Sequence, residues 1–242
     1  MPNKSSKIKI IAGKFKSRNI EFIDSPNQQL RPTPARLRET LFNWLMHDIQ
    51  DSICIDLFAG SGILGFEALS RGAKSVIAFE IDKKISKNIK SNCQRLEILK
   101  SEYQLFNKSS LDFIGFLDNL DKNQINSLSN INKSSAKNII IFCDPPFNTD
   151  VFNRILKYLS SPDKISLFKN KSIYLYLEYP KKLDLEKLNK IDNINKNGED
   201  RENIEAKELK DVIEKIEASW EFSKKSVCGD VVGGLSAVSS PC

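Results

Sequence analysis

The chain has 242 residues, 40% of them hydrophobic, enough for one α/β domain with additions or for two small domains. No run approaches the ~20 apolar residues of a membrane span. The opening MPNKSSKIKI carries charge but no apolar signal core, so a cytoplasmic protein is expected.

The five cysteines (Cys54, Cys93, Cys143, Cys228 and Cys242) are scattered without a Cys-x-x-Cys pair, which favours reduced core thiols over disulfides or a metal site. The net charge is +6, and residues 1–50 hold nearly all of the excess, nine Lys and Arg against four acids. A basic block on a near-neutral body suits an anionic partner, nucleic acid being the obvious one, although a solvated Lys-rich tail has the same composition.

In chain order, residues 7–23 give two short β-like runs around Ala12-Gly13-Lys14, a small hairpin. RPTPARLRETLFNWLMHDI reads as a helix: Thr33 can cap it, Pro34 suits its first position, and Leu37, Leu41, Trp44 and Leu45 form an apolar stripe. Strands and helices then alternate. Strands are expected at 52–58, 75–80, 103–107, 138–143 and 172–178, and helices at 63–71, 82–99, near 110–118 and at 150–160. ASWEFSKKSV and VVGGLSAV suit a closing antiparallel pair. Near-continuously apolar strands alternating with helices predict a mainly parallel sheet covered on both faces. The Asn-, Lys- and Ser-rich stretches 118–137 and 188–217 read as surface insertions. The organisation expected is a basic extension over 1–50 and a main domain over 51–242.

The first strand of that domain runs into DLFAGSGILGFEALSRGA. Gly60-Ser61-Gly62-Ile63-Leu64-Gly65 fits G-x-G-x-x-G, and Glu80 follows 20 residues after Gly60 at the end of the next strand. Alone this is a dinucleotide fingerprint: glycines for a tight turn and close approach, an acid for ribose hydroxyls. Asp56, beside the loop, argues against a pyrophosphate. It suits a ligand bearing a sulfonium and an ammonium, S-adenosylmethionine.

The run NIIIFCDPPFNTD ends the fourth strand on Asp144-Pro145-Pro146-Phe147. In an open parallel sheet both loops line one cleft, at the carboxyl ends of the strands. An exocyclic amine on a nucleobase is a poor nucleophile because its lone pair is delocalised into the ring. The Asp144 carboxylate and the Pro145 carbonyl could hold its two N–H groups, and Pro145 and Pro146 keep those acceptors in place. Phe147 offers a face on which the base can stack.

RPTPARLRETLFNWL, DLFAGSGILGFEALSRGA, FEID and DPPF resemble, in order and spacing, the RsmD-type methyltransferases, which modify the exocyclic N2 of a guanine in small-subunit (16S) ribosomal RNA. The resemblance spans roughly residues 8–180. It implies a Rossmann-like class I methyltransferase fold with a seven-stranded sheet, S-adenosylmethionine as methyl donor, and ribosomal RNA or an assembling small subunit as partner. No metal and no membrane are implied, and a monomer is expected.

By similarity, Asp56, Phe58, Ala59, Gly60, Ser61 and Gly62 would line the cofactor pocket, Glu80 would bind the ribose and Ile81 would pack on the adenine. Asp144, Pro145, Pro146 and Phe147 would hold the target base. Arg31, Arg36 and Arg38 would fall on the RNA-facing or domain-packing side of the N-terminal unit. Ser109, with Asp112 three residues on, stands where family members carry an acid near the adenine amine. The tail after Val227 departs from the family's last strands. The alternatives are another amino-methyltransferase (adenine-N6 or cytosine-N4 of DNA, or protein glutamine), a non-catalytic RNA-binding protein on the same scaffold, and a nicotinamide dehydrogenase.

Overall fold

Apolar runs bounded by turn residues become the strands of one seven-stranded sheet. The computed structural model describes residues 5–23, 32–112, 135–145, 154–155, 158, 171–180, 224–228 and 231–239. After a two-stranded hairpin, β1 (Ser5–Lys9) and β2 (Asn19–Ile23), comes α1 (Ala35–Trp44). Then follow β3 (Ile53–Asp56), α2 (Ile63–Ser70), β4 (Ser75–Phe79), α3 (Lys83–Arg95) and β5 (Tyr103–Phe106). The remaining strands are β6 (Asn138–Cys143), β7 (Ser172–Pro180), β8 (Lys224–Cys228) and β9 (Val231–Ser239).

The main sheet has the order β5-β4-β3-β6-β7-β9-β8. The first five strands in that order are parallel, and β9 and β8 close the edge antiparallel. The fold is therefore the mainly parallel, Rossmann-like methyltransferase sheet, and the closing pair forms as expected. From β3 the chain builds outward through β4 to β5, then crosses back to β6 and β7 on the other side. The point where strand order reverses, between β3 and β6, is where such sheets bind ligands.

The central strands β3, β4 and β6 are buried on both faces, as their unbroken apolar character requires. Register places Cys54, Val76 and Ile140 on one face, with Phe142 and Tyr176 further along it. These pack in one cluster with Ile10, Phe15 and Ile20 of the hairpin region and Leu41, Phe42 and Leu45 of α1. The basic N-terminal unit thus shares its core with the sheet.

Helix α1 differs from expectation at its start. Pro34, not Thr33, holds the cap position, and no side chain caps the helix. The hydroxyl of Thr33 is used elsewhere, on Glu178. Leu37 and Leu41 are buried as the stripe requires, but so is Arg38, while Arg36 and Asn43 face solvent. Helix α3 starts where Asp82 accepts hydrogen bonds from the N–H groups of Lys84 (2.6 Å) and Ile85 (3.0 Å). Its buried Asn92 clamps β2, accepting from Glu21 N–H (3.1 Å) and donating to Glu21 C=O (2.7 Å).

Glu67 of α2 anchors the N-terminal unit. It is fully enclosed, and Oε2 accepts from Ile11 N–H (3.0 Å) and Arg38 (3.2 Å), while Oε1 accepts from Arg71 (3.0 Å). Gly13 is fixed beside this anchor at φ +82°. A Cβ there would lie 1.7 Å from the Ser70 carbonyl oxygen, which instead accepts a 2.7 Å hydrogen bond from Lys14 N–H.

The expected helix near 110–118 is helical over the described residues 110–112, and that at 150–160 at 154, 155 and 158. The insertions expected at 118–137 and 188–217 lie outside the described residues, except Ser135, Ala136 and Lys137. Among the described residues no helix is long and apolar enough to cross a membrane. Cys54, Cys93, Cys143 and Cys228 are free thiols.

Candidate active site

The loop after β3 is shaped by two glycines in the left-handed region, Gly60 (φ 51°) and Gly62 (φ 75°), which bend the chain from Asp56 into α2. A Cβ on Gly62 would also meet the Phe66 ring at 2.9 Å. Glycine is therefore required at 62 by both conformation and packing. Glu80, at the end of β4, closes the loop from the other side. Its Oε2 accepts from Gly60 N–H (2.9 Å) and its Oε1 from Asp82 N–H (2.8 Å).

This arrangement separates the two ligand chemistries left open by the motif. A pyrophosphate site needs free N–H groups at the start of α2. Here Gly60 donates to Glu80, Gly62 donates to Ala59 C=O (2.6 Å), and Ile63 donates to Ser61 Oγ (3.3 Å). The cleft beside them is acidic instead. Asp56 is 2% exposed, and burial pushes its carboxyl up to about 7, opposed by the Phe58 N–H and reinforced by Glu80 and Glu178. Burial also raises Glu80, against the N–H groups of Asp82 and Gly60. Half-buried Asp144 is raised by burial first, then by Glu178 and Asp56. Such a pocket repels a diphosphate and attracts a cation, which removes the basis for a nicotinamide cofactor.

The residues present fit S-adenosylmethionine. Asp56 faces a cationic ligand, Glu80 has the carboxylate for ribose hydroxyls, and Ile81 next to it is 69% exposed, an apolar face free for a ring. Ala59 is buried and Phe58 half-buried, and the Ser61 side chain is engaged at the start of α2. Ser109 Oγ accepts from Leu111 N–H (3.2 Å), starting a helical turn, and Asp112 is exposed. Pro145 is buried beside Asp144, whereas Pro146, Phe147 and Arg31 lie outside the described residues.

Arg36 is exposed on α1. Arg38, expected on the RNA-facing or domain-packing side, is 3% exposed and takes the packing position. Its guanidinium reaches Glu67 and the carbonyls of Thr33 and Lys9, each at 3.2 Å. The apolar stripe of α1 predicted its inward-facing leucines but gave no hint of an arginine among them, because its partner lies on α2.

Sequence reasoning missed two further residues. Asn107, just after β5, donates to the carbonyls of Glu80 (2.8 Å) and Ile81 (3.0 Å) and braces that turn. Glu178, at the end of β7, joins the carboxyl cluster. Its position as the lone acid in IYLYLEYP was the available signal. A separate concavity of about 300 Å³ lies between the hairpin and the end of α3, lined by Lys7, Arg18, Glu21 and Arg95. Arg95 ends the helix that began at the cleft, so this basic hollow lies toward the other ends of the strands.

The family model described as "Conserved hypothetical protein 95" matches residues 8–206. The ribosomal RNA small subunit methyltransferase D of Haemophilus influenzae is 37% identical over 182 residues, 75% of this chain and 84% of that protein. The chain belongs to the RsmD family. The same-named protein of a Buchnera aphidicola strain is 37% identical over 180 residues (74% and 81%), and that of Escherichia coli K12 is 36% identical over 155 residues (64% and 68%).

Among solved structures, an E. coli protein proposed to be a methyltransferase superposes with TM-score 0.60 at 24% identity, covering 98% of this chain and all of that one. A proposed methylase of H. influenzae gives 0.50 at 28% identity, covering 96% and 98%. The RsmD-family assignment and the acidic cleft at the β3–β6 switch point agree on a methyltransferase.

Proposed function

We propose that the chain transfers a methyl group from S-adenosylmethionine to the exocyclic N2 amine of a guanine in 16S ribosomal RNA, free or within an assembling small subunit. The observation that carries this reading is the pairing, at one switch point, of an acidic glycine loop with the Asp144-Pro145 strand end, which the sequence continues as Pro146-Phe147. The ribosomal RNA activity named for the family's relatives supports the substrate class.

In this reading Asp56 attracts the cationic end of the donor, Glu80 holds its ribose and Ile81 covers its adenine. The donor supplies an electrophilic methyl group on sulfur. The Asp144 carboxylate and the Pro145 carbonyl accept the two N–H groups of the amine, which turns the nitrogen lone pair toward that methyl. Their stabilisation is strongest as positive charge grows on nitrogen. Phe147 stacks on the base, and Arg31 and Arg36 meet RNA phosphates.

The test is to incubate the protein with labelled S-adenosylmethionine and immature small subunits, naked 16S RNA or DNA, and to map the modified nucleotide by mass spectrometry. N2-methylguanine in 16S RNA is expected. Label on adenine or cytosine would move the assignment to another exocyclic amine, and no label on any nucleic acid would overturn it. Asp144→Ala should abolish transfer while cofactor affinity stays within about twofold of wild type.

A further inference from the structure

Three neighbouring strands carry a carboxyl group at or next to their carboxyl ends, on the same side of the sheet. Asp56 pairs with Phe142, Phe142 with Tyr176 and Cys143 with Leu177. One step further along the parallel pair, Asp144 and Glu178 stand opposite each other. By alternation they share the face of Asp56, Phe142 and Tyr176. On the far side of β7 the register partner of Glu178 is Gly233, and a Cβ there would sit 2.7 Å from the Tyr176 hydroxyl. No side chain from β9 therefore fills the position next to Glu178.

Glu178 is 2% exposed with the Thr33 and Tyr176 hydroxyls against its carboxyl, and among the described residues its Oε1 has no partner in hydrogen-bond geometry. Among the described residues, the groups that face the pair are Asp56 from β3, Tyr176 on the same strand and the Thr33 hydroxyl ahead of α1, with Glu80 acting on Asp56 and Cys228 on Tyr176. None of them is a cation. Neither carboxyl is ion-paired among the described residues, and Arg38, the buried arginine of the N-terminal unit, is engaged with Glu67. An enclosed acid with an orphan oxygen, next to a second acid and without a counter-ion, is costly with both groups charged. One proton held between them removes the repulsion and satisfies the orphan.

We propose that Glu178 is a positioning residue that shares one proton with Asp144, and that the pair takes up the proton released when the substrate amine is methylated. This rests on the methyltransferase reading. The amine lone pair forms the new C–N bond while the C–S bonding pair stays with sulfur, leaving a neutral thioether. The nitrogen, now carrying a positive charge, gives one N–H proton to the pair. The pair passes from one bound proton to two and returns the extra proton to solvent. Glu178 acts through Asp144, raising its proton affinity above that of a lone carboxylate. Thr33 tunes Glu178 and ties the N-terminal unit to the site.

The test is the pH profile of kcat on small-subunit RNA, with S-adenosylmethionine affinity measured in parallel. In wild type the acid limb reports the second protonation of the pair. Glu178→Gln should move that limb down by at least one pH unit and lower kcat at least tenfold, with cofactor affinity within twofold. Glu178→Asp should return the limb toward wild type.

Should Glu178→Gln fail to fold, Thr33→Val decides. It removes the donor to the Glu178 carboxylate and should move the limb up. Wild-type transfer with an acid limb unmoved by Glu178→Gln, or unmoved by Thr33→Val where that variant decides, would overturn the pair and leave the methyltransferase reading intact. No transfer by the wild type would overturn both.

Discussion

Replacing Glu67 by Gln tests whether the N-terminal unit is held by a buried charge. Glu67 is fully enclosed, and its two oxygens accept from Arg38, Arg71 and the N–H groups of Ile11 and Ala12. The amide keeps the volume but leaves Arg38, itself buried, without a counter-charge. Breaking a buried ion pair from one side costs about 3–5 kcal/mol. At about 2–4 °C per kcal/mol for a chain of this size, Tm should fall by about 6–20 °C.

Arg38→Met removes the other partner, yet Glu67 keeps Arg71 and both backbone donors. The loss there is the charge-assisted contact to Glu67, about 1.5–3 kcal/mol, together with the hydrogen bonds to the Thr33 and Lys9 carbonyls. The double variant should cost less than the sum of the two, by about 1–3 kcal/mol. Urea denaturation of the full chain gives the energies, and hydrogen exchange over residues 5–23 locates the damage. A cost below about 1 kcal/mol for Glu67→Gln, or a double variant that costs the full sum of the two, would refute the reasoning.

Gly13→Ala places a side chain on a left-handed residue and against the Ser70 carbonyl, so it should destabilise by well over 1 kcal/mol, read from the denaturation midpoint. An unchanged midpoint would mean the hairpin is not seated on α2. Asp56 titrates at about 7 in the folded protein, against an ordinary 3.8. Its contribution is therefore full below about pH 4 and is lost as pH rises through 7. Without cofactor, Asp56→Asn should gain on wild type across that window by up to about 1.4 kcal/mol per pH unit. A variant less stable than wild type at pH 8 would contradict this. Replacing Arg31 and Arg36 together should weaken RNA binding and flatten its log–log salt slope by about 1–2, whereas Arg38→Met should leave the slope unchanged. A slope altered by Arg38→Met would put that residue back on the RNA.

The strands and the loops at their carboxyl ends followed from patterns local in sequence. SICIDLF, SVIAFE and NIIIFC are apolar runs that end on an acid or a turn, so both the strands and the loops at their carboxyl ends were legible. What was not legible depends on partners far apart in the chain. Arg38 looked like a surface base because its counter-charge, Glu67, lies 29 residues on and on another helix. Thr33 looked like a helix cap, and its actual partner, Glu178, lies on the β7 strand. Glu178 itself sat in an apolar run with no motif to mark it. It became visible only when register set it opposite Asp144.

The distribution of charge also bears on why the basic N-terminal unit is packed on the sheet that carries the cleft. The cleft holds Asp56, Glu80, Asp144 and Glu178, and among the described residues no base is ion-paired with Asp56, Asp144 or Glu178. That suits a cationic methyl donor but would repel a polyanion such as RNA. Among the described residues, Lys7, Lys9, Lys14, Lys16, Arg18 and Arg36 belong to the N-terminal unit, whose buried Arg38 is matched to Glu67. In the proposed function, RNA docks on the basic unit while a single extruded base enters the acidic cleft, because a nucleobase, unlike its phosphate, presents neutral N–H donors to carboxylates. On this argument the N-terminal unit contributes binding energy that the cleft cannot. Weakening its dock through Glu67 should raise KM for RNA while S-adenosylmethionine affinity stays close to wild type.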